Sequence, residues 1–205
     1  MSAIIERDFS FQAGVYFNNT VLFNLYDFTV QMEVDTDDIR EQNVAMDRIK
    51  YFVYECLDGV IFIQDIEDKA IEKFMDCGFR ICQLPDEPYD QVIGLLILYK
   101  FNAICESKLL MTDIVFTSKL SDGVKFKENV ATALNTFKNT GWWAQNNCNY
   151  NKIKTSKKDK VVKLVSKNDW NDLGLSWHEV KNNATQIIFA PERSEEHTSE
   201  LQSHS

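Results

Sequence analysis

Histidine is scarce in this chain of 205 residues, which has only His178, His197 and His204. Glycine (7) and proline (3) are scarce as well. With so few glycines there is no Gly-rich phosphate loop and no G-x-S-x-G elbow, and H-E-x-x-H is absent too. The longest greasy stretch is Val92–Leu98, far short of the roughly 18 apolar residues that a membrane helix needs. The opening MSAIIERDF is charged within seven residues, unlike a secretory signal, so the chain is expected to stay in the cytoplasm. Five cysteines (Cys56, Cys77, Cys82, Cys105, Cys148) stand at irregular spacing without a C-x-x-C pair. Buried, reduced thiols are expected rather than a zinc site or a disulfide framework.

Positive charge is also in deficit. The formal net charge is −9, and general nucleic-acid binding needs a surplus of Lys and Arg. The basic residues that do cluster, Lys152, Lys154, Lys157, Lys158, Lys160, Lys163 and Lys167, read as a solvated loop and strand edge. A local polyanion contact is the alternative. The last segment, Arg193–Ser205 (RSEEHTSELQSHS), resembles a translated sequencing adapter and is set aside from fold reasoning. Two of the three histidines go with it, and the natural sequence is expected to be cut near Glu192.

What is present is patterned. Phe9–Phe17 and Val21–Val34 are β-rich runs joined at Asn18-Asn19-Thr20. Phe28, Val30, Met32 and Val34 alternate with Thr29, Gln31 and Glu33, as in a half-buried strand of an antiparallel hairpin. Asp35-Thr36-Asp37-Asp38 suits a helix N-terminus better than a calcium loop, which would need a glycine and a terminal glutamate. Residues 39–57 carry helical spacing, as do Asp65–Cys77, whose natural stop is Gly78. Val60–Ile63 and Phe79–Leu84 are short apolar runs. Pro88 stands near the start of a third helix reaching about Cys105, apolar almost all round and therefore buried. Leu109–Leu120, a turn at Ser121-Asp122-Gly123 and Val124–Lys127 form a second strand pair. A short helix through Val130, Ala133, Leu134 and Phe137, strands at Val161–Val165 and Gln186–Ala190, and four tryptophans (Trp142, Trp143, Trp170, Trp177) complete the chain. The tryptophans read as the core of an appended unit, or as an assembly contact.

The order hairpin, two helices, third helix, strand pair resembles the tunnelling fold of the 6-pyruvoyltetrahydropterin and 6-carboxytetrahydropterin synthase family. Phe9-Ser10-Phe11-Gln12-Ala13-Gly14-Val15 looks like that family's first-strand F-x-A-A-H. Asn24-Leu25-Tyr26-Asp27-Phe28 looks like its H-G-H-x-Y, Leu57-Asp58-Gly59 its L-D-H, and Pro85-Asp86-Glu87-Pro88 its P-T-x-E-N. The resemblance covers about residues 9–127 and implies an antiparallel four-stranded sheet with helices on one face. In the family three histidines hold zinc, which polarises the substrate carbonyl. Here Gly14 or Val15, Asn24 and Tyr26 stand in their place. Gly59 replaces the catalytic histidine, and Thr117 or Ser118 the glutamate that anchors the pterin. Glu106-Ser107-Lys108-Leu109-Leu110 is similar to the signature of a nitrile-reducing branch, but no matching cysteine accompanies it, and ordinary junction chemistry explains it.

The reading is therefore an α+β, tunnelling-fold-like domain over residues 1–127, a truncated β-rich appendage over 128–192, and adapter over 193–205. No catalytic residue, metal ligand or cofactor is expected. The chain is expected to be a non-catalytic, homo-oligomeric relative of the pterin synthases with a structural or binding role, from a microbial or phage genome. The alternative is an enzyme that binds a pterin- or purine-like molecule with zinc-independent chemistry, its polar groups converging between subunits, where Asn24, Tyr26, Asp27, Asp58 and Glu106 are the residues to inspect. His178, between Trp177 and Glu179, reads as a surface or interface residue rather than a base. Glu67, Asp68, Glu72 and Asp76 read as a solvated helix face.

Overall fold

A computed structural model describes residues 4–150 and 169–178. Strands β1 (Ile4–Phe17) and β2 (Thr20–Val34) form the expected hairpin. Asn18 and Asn19 make its two-residue turn with φ of 48° and 61°, the doubly left-handed link that matches strand twist and that asparagine tolerates. The alternating side chains divide the sheet's faces. Phe9 lies opposite Phe28 and Phe11 opposite Tyr26, and these pairs stack with ring centroids 5.4 and 5.0 Å apart. On the other face Asp8 accepts a hydrogen bond from the Thr29 hydroxyl at 2.6 Å.

Helix α1 (Ile39–Tyr51) begins at Asp38, whose carboxylate accepts from the Arg40 N–H at 2.8 Å. The acidic run is thus a cap, as expected. The helix widens into a π-helical segment, Phe52–Leu57. Strand β3 (Ile61–Gln64), helix α2 (Asp68–Asp76) and strand β4 (Ile81–Leu84) follow. Helix α3 (Asp90–Cys105) is capped at Tyr89, so Pro88 precedes the cap instead of opening the helix. Strands β5 (Leu109–Ser118) and β6 (Lys125–Asn129), helix α4 (Val130–Thr136) and two single 3-10 turns, Lys119–Ser121 and Trp142–Ala144, follow.

The sheet order is β4-β3-β1-β2-β5-β6. The four antiparallel strands are those the sequence implies, but the sheet is six-stranded and mixed, which corrects the four-stranded expectation. β3 pairs in parallel with Gly14 and Val15 of β1, and β4 pairs in parallel with β3 across α2. Parallel neighbours require such a crossover. The helices do not all share one face either. Ile61 and Ile63 pack with Ile71 of α2 and Ile81, alongside Tyr16 and Phe74, while Phe62 between them joins the main core. Alternation along β3 therefore puts α2 on the face opposite α1 and α3.

The main core lies between the inner face and α1, the π-helical segment and α3. α3 approaches β5 closely at Gly94, where a Cβ would lie 3.1 Å from Phe116 Cβ and Cγ. Trp142, Trp143, Cys148 and Trp170 belong to this same buried cluster. The strands expected at Val161–Val165 and Gln186–Ala190, the whole lysine-rich stretch and the adapter-like tail lie outside the described residues. Among the described residues no helix is long and apolar enough to cross a membrane.

Candidate functional site

Strand register decides which of the resembling positions meet. Val15, Asn24 and Tyr26 share the inner face, and Ser118 lies directly opposite Tyr26. Gly14 faces the other way, towards Val21 and Ile61, so of the two only Val15 reaches this face. Likewise Ser118, not Thr117, lies on the inner face. The motifs thus do converge on one patch, and the chemistry of that patch follows from four side chains.

Asn24 is buried, and its Oδ1 accepts the Leu120 N–H at 3.1 Å. Ser118 donates to Asp90, the first residue of α3, at 2.6 Å. Tyr26 has no exposure. Its ring stacks on Phe11 and meets Phe62 edge-on at 6.0 Å and Phe116 at 5.5 Å. Burial pushes its phenol well above the ordinary tyrosine value; the Asn24 amide opposes that shift and the Asp90 charge adds to it. The Tyr26 hydroxyl has no hydrogen-bond partner among the described residues.

Zinc does not fit this patch. Val15 has no donor atom, Asn24 Oδ1 is already engaged, and a phenol held protonated is a poor ligand, because metals bind the deprotonated form. The space beside Tyr26 is filled by rings. Among the described residues no group of three or more His, Cys, Asp or Glu side chains could hold a metal ion.

The remaining sequence candidates are dispersed. Asp27 faces the outer side of the sheet, lining an open groove of about 400 Å³ with Asp8, Ser10, Thr117 and Lys125. Asp58 accepts the Gln12 N–H at 2.8 Å, and Gly59 N–H donates to Gln12 O at 2.7 Å, so this turn caps the edge of β1. Gly59 has a φ of +75°, a backbone conformation that favours glycine over the family's histidine. Glu106 sits at the α3–β5 junction with Ser107, both left-handed (φ 48° and 66°), which fits junction chemistry rather than a reductase signature.

Glu106 lies instead in a second centre that the sequence did not announce. Arg48 of α1 pairs with it at 2.9 Å and donates to Leu175 O at 2.8 Å and Ile104 O at 3.0 Å. The guanidinium carbon lies 3.7 Å from the Trp177 ring centroid and 4.9 Å from that of Trp170. Burial lowers the Arg48 pKa while Glu106 opposes the shift. This arrangement fastens residues 169–178 to α1, and an open groove of about 690 Å³ beside it includes exposed His178. Among the described residues no ion pair or hydrogen bond joins His178 to a carboxylate. The third centre is Lys100, which with Asp90 makes up the charged residues of the otherwise apolar α3. Its Nζ donates to the carbonyls of Trp142 at 2.9 Å and Gln145 at 2.8 Å. The sequence reading did not single it out, although a lysine inside an apolar helix is the signal that could have.

No protein-family model and no curated protein sequence matches this chain. Among solved structures it is similar to an uncharacterised protein from Wolinella succinogenes, at 13% identity and a TM-score of 0.44, covering 63% of this chain and 98% of that one. It is similar also to 6-pyruvoyltetrahydropterin synthases. A Plasmodium vivax catalytic-residue mutant gives 13% identity and a TM-score of 0.41, over 63% of this chain and 98% of that one. The Plasmodium falciparum enzyme gives 14% and 0.41, over 62% and 97%.

Proposed function

We propose that this chain is a non-catalytic relative of the pterin synthases, a structural or binding protein that works as a homo-oligomer. The observation that carries the reading is the packing of the inner face. Where the resemblance implies a metal and a substrate, Tyr26, Phe11, Phe62 and Phe116 are in ring contact, and Asn24 is bound to backbone. Losing histidines alone would leave a vacated pocket. A filled one fits a surface given over to packing.

A sheet with open edges supports the oligomer, because an unpaired edge is a template for another strand. β3 pairs only with Gly14 and Val15 of β1 and the Asp58-Gly59 turn occupies Gln12, leaving Ile4–Phe11 of that edge without a strand neighbour among the described residues. Exposed Ile4 (62%) lies on this stretch.

The second reading, a pterin- or purine-like ligand held with altered chemistry, has one point in its favour. Asn24, Ser118 and Asp90 lie together beside the unpartnered Tyr26 hydroxyl. One set of measurements separates the two readings. The purified chain is assayed for zinc by mass spectrometry, titrated with a pterin and a purine in a calorimeter, and sized by light scattering. A defined oligomer with less than about 0.1 zinc per chain and no heat of pterin or purine binding is expected. Saturable binding lost in Asn24→Leu would replace the first reading with the second, and a monomer would remove the oligomer.

A further inference from the structure

Strand β4, outermost on one side of the sheet, has all four residues buried, and the Trp142 indole donates to Gln83 O at 2.7 Å. That edge is covered from within the chain. Two stretches of strand stay open among the described residues. One is Ile4–Phe11 of β1. The other is β6, where Lys125–Glu128 has no backbone–backbone hydrogen bond beyond its pairing with β5. Register sorts their side chains by face. Asp8 lies opposite Thr29, Thr29 opposite Val115, and Val115 opposite Lys127, so Asp8 and Lys127 end one row on the outer face. Both are exposed, as are Glu6 and Lys125 in neighbouring outer positions. The inner side carries the reverse charges, exposed Arg7 on β1 and half-buried Glu128 on β6, where Glu128 accepts from Gln91 through Oε1. The open part of β1 is thus acidic outside and basic inside, and β6 is basic outside and acidic inside. Within one copy the two strands are three strand spacings apart, about 14 Å, so these charges do not meet.

We propose that Ile4–Phe11 of one copy pairs with β6 of a second copy, antiparallel and in the register that sets Asp8 opposite Lys127. Directly opposed residues share a face, so Arg7 then falls opposite Glu128 and Phe9 opposite Phe126. Charges complement each other on both faces at once. A slip of one residue would turn the lysines to the inner side. A slip of two would set Glu128 against Phe9, or Phe126 against Arg7. Pairing like with like is repelled, because β1 against β1 opposes acids on the outer face and β6 against β6 opposes lysines. The sense follows from the sheet itself. β1, β2, β5 and β6 alternate in direction, so copies related by rotation about an axis along the strands present β6 and β1 in opposite directions. Each copy supplies one edge of each kind, and such a heterologous contact closes into a ring or runs on as a filament. This inference rests on the homo-oligomer reading above and names the surfaces through which the copies meet.

The unmutated full chain is treated with a carbodiimide, which joins a carboxylate only to an amine in contact with it, and the products are mapped by peptide mass spectrometry. A link between Asp8 and Lys127 is expected in species of two or more chains; across about 14 Å it cannot form within one copy. Light scattering over a dilution series then sizes Asp8→Lys, Lys127→Asp and the chain carrying both changes. Each single change sets like charges opposite each other and should weaken association at least about tenfold. The double change restores an opposite pair and should return association to the parent's strength. A parent oligomer that shows no such link and ignores both single changes would overturn the proposal while leaving the homo-oligomer reading in place. Tighter association of Lys127→Asp would overturn it as well, because the lysines would then be guards against edge pairing. A monomeric parent removes both readings. The cross-link needs no variant, so a folding failure in Asp8→Lys leaves the decision intact.

Discussion

In the unfolded chain Lys100 keeps its proton up to a pH near its ordinary 10.5; in the folded chain burial lowers that to about 7. Between these limits the unfolded state binds more protons, so stability must rise with pH. Weighting both states by their protonation gives a gain of about 2 kcal/mol between pH 7 and pH 9. Cys148, lowered by the Cys56 hydrogen bond, adds to the slope in the same direction. Cys56, Cys82 and Cys105 act the other way, because burial or hydrogen bonding holds them protonated in the fold. Their opposition begins only where unfolded thiols ionise, near pH 9. The test is urea unfolding at pH 6.5, 7.5 and 8.5 in the presence of a reductant, on the full chain and on Lys100→Met. The parent should grow more stable at each step. Lys100→Met should lose most of the slope, although the Trp142 and Gln145 carbonyls lose a donor and the variant is less stable at pH 8.5. A parent whose stability is flat or falling over this range, or a variant with the parent's slope, would refute the loss of the Lys100 proton on burial.

Three further outcomes follow from the packing. Gly94→Val should destabilise by about 2 kcal/mol or more, since a branched side chain must displace Phe116 from 3.1 Å; thermal unfolding reads it, and a neutral result would mean that α3 can lift from β5. Arg48→Met should cost about 3 kcal/mol by stranding Glu106 and the Leu175 and Ile104 carbonyls. It should also shift tryptophan emission to the red as Trp170 and Trp177 lose their cover, and unchanged emission would place those rings elsewhere. Tyr26→Phe should be neutral or stabilise by up to about 1 kcal/mol, because it deletes a buried hydroxyl without a partner; a clear loss of stability would reveal a partner for that oxygen.

The hairpin was legible because alternation from Phe28 to Val34 and the Asn18-Asn19 turn agree on one register. α1 was legible through Asp38, and the end of α2 through Gly78. The place of β3 and β4 in the sheet was not. Runs of four apolar residues carry no period long enough to name a neighbour, and nothing in Ile61–Gln64 says that its partner is Gly14. The π-helical segment was hidden as well, because Phe52, Val53, Cys56 and Leu57 have a spacing that an ordinary helix also satisfies. Of the candidate site, strand register puts Val15 and Ser118, rather than Gly14 and Thr117, on the face that carries Asn24 and Tyr26. Within one chain Asp27, Asp58 and Glu106 are brought to different places by alternation and by loops. Lys100 and Arg48 act through backbone carbonyls, which have no residue type to recognise, so their partners could not be read from composition.

The Arg48–Leu175 hydrogen bond spans 127 residues, and that separation has a consequence during synthesis. At a ribosomal rate of about 5–20 residues per second, Leu175 follows Arg48 by on the order of ten seconds. Over that interval the sheet and α3 can assemble while the guanidinium still lacks Trp170, Trp177 and the Leu175 carbonyl. Closing so long a loop is slow and late. The nascent chain therefore carries, for seconds, a cationic apolar seat whose occupant has not yet been made, and the order of translation decides what else could sit there first.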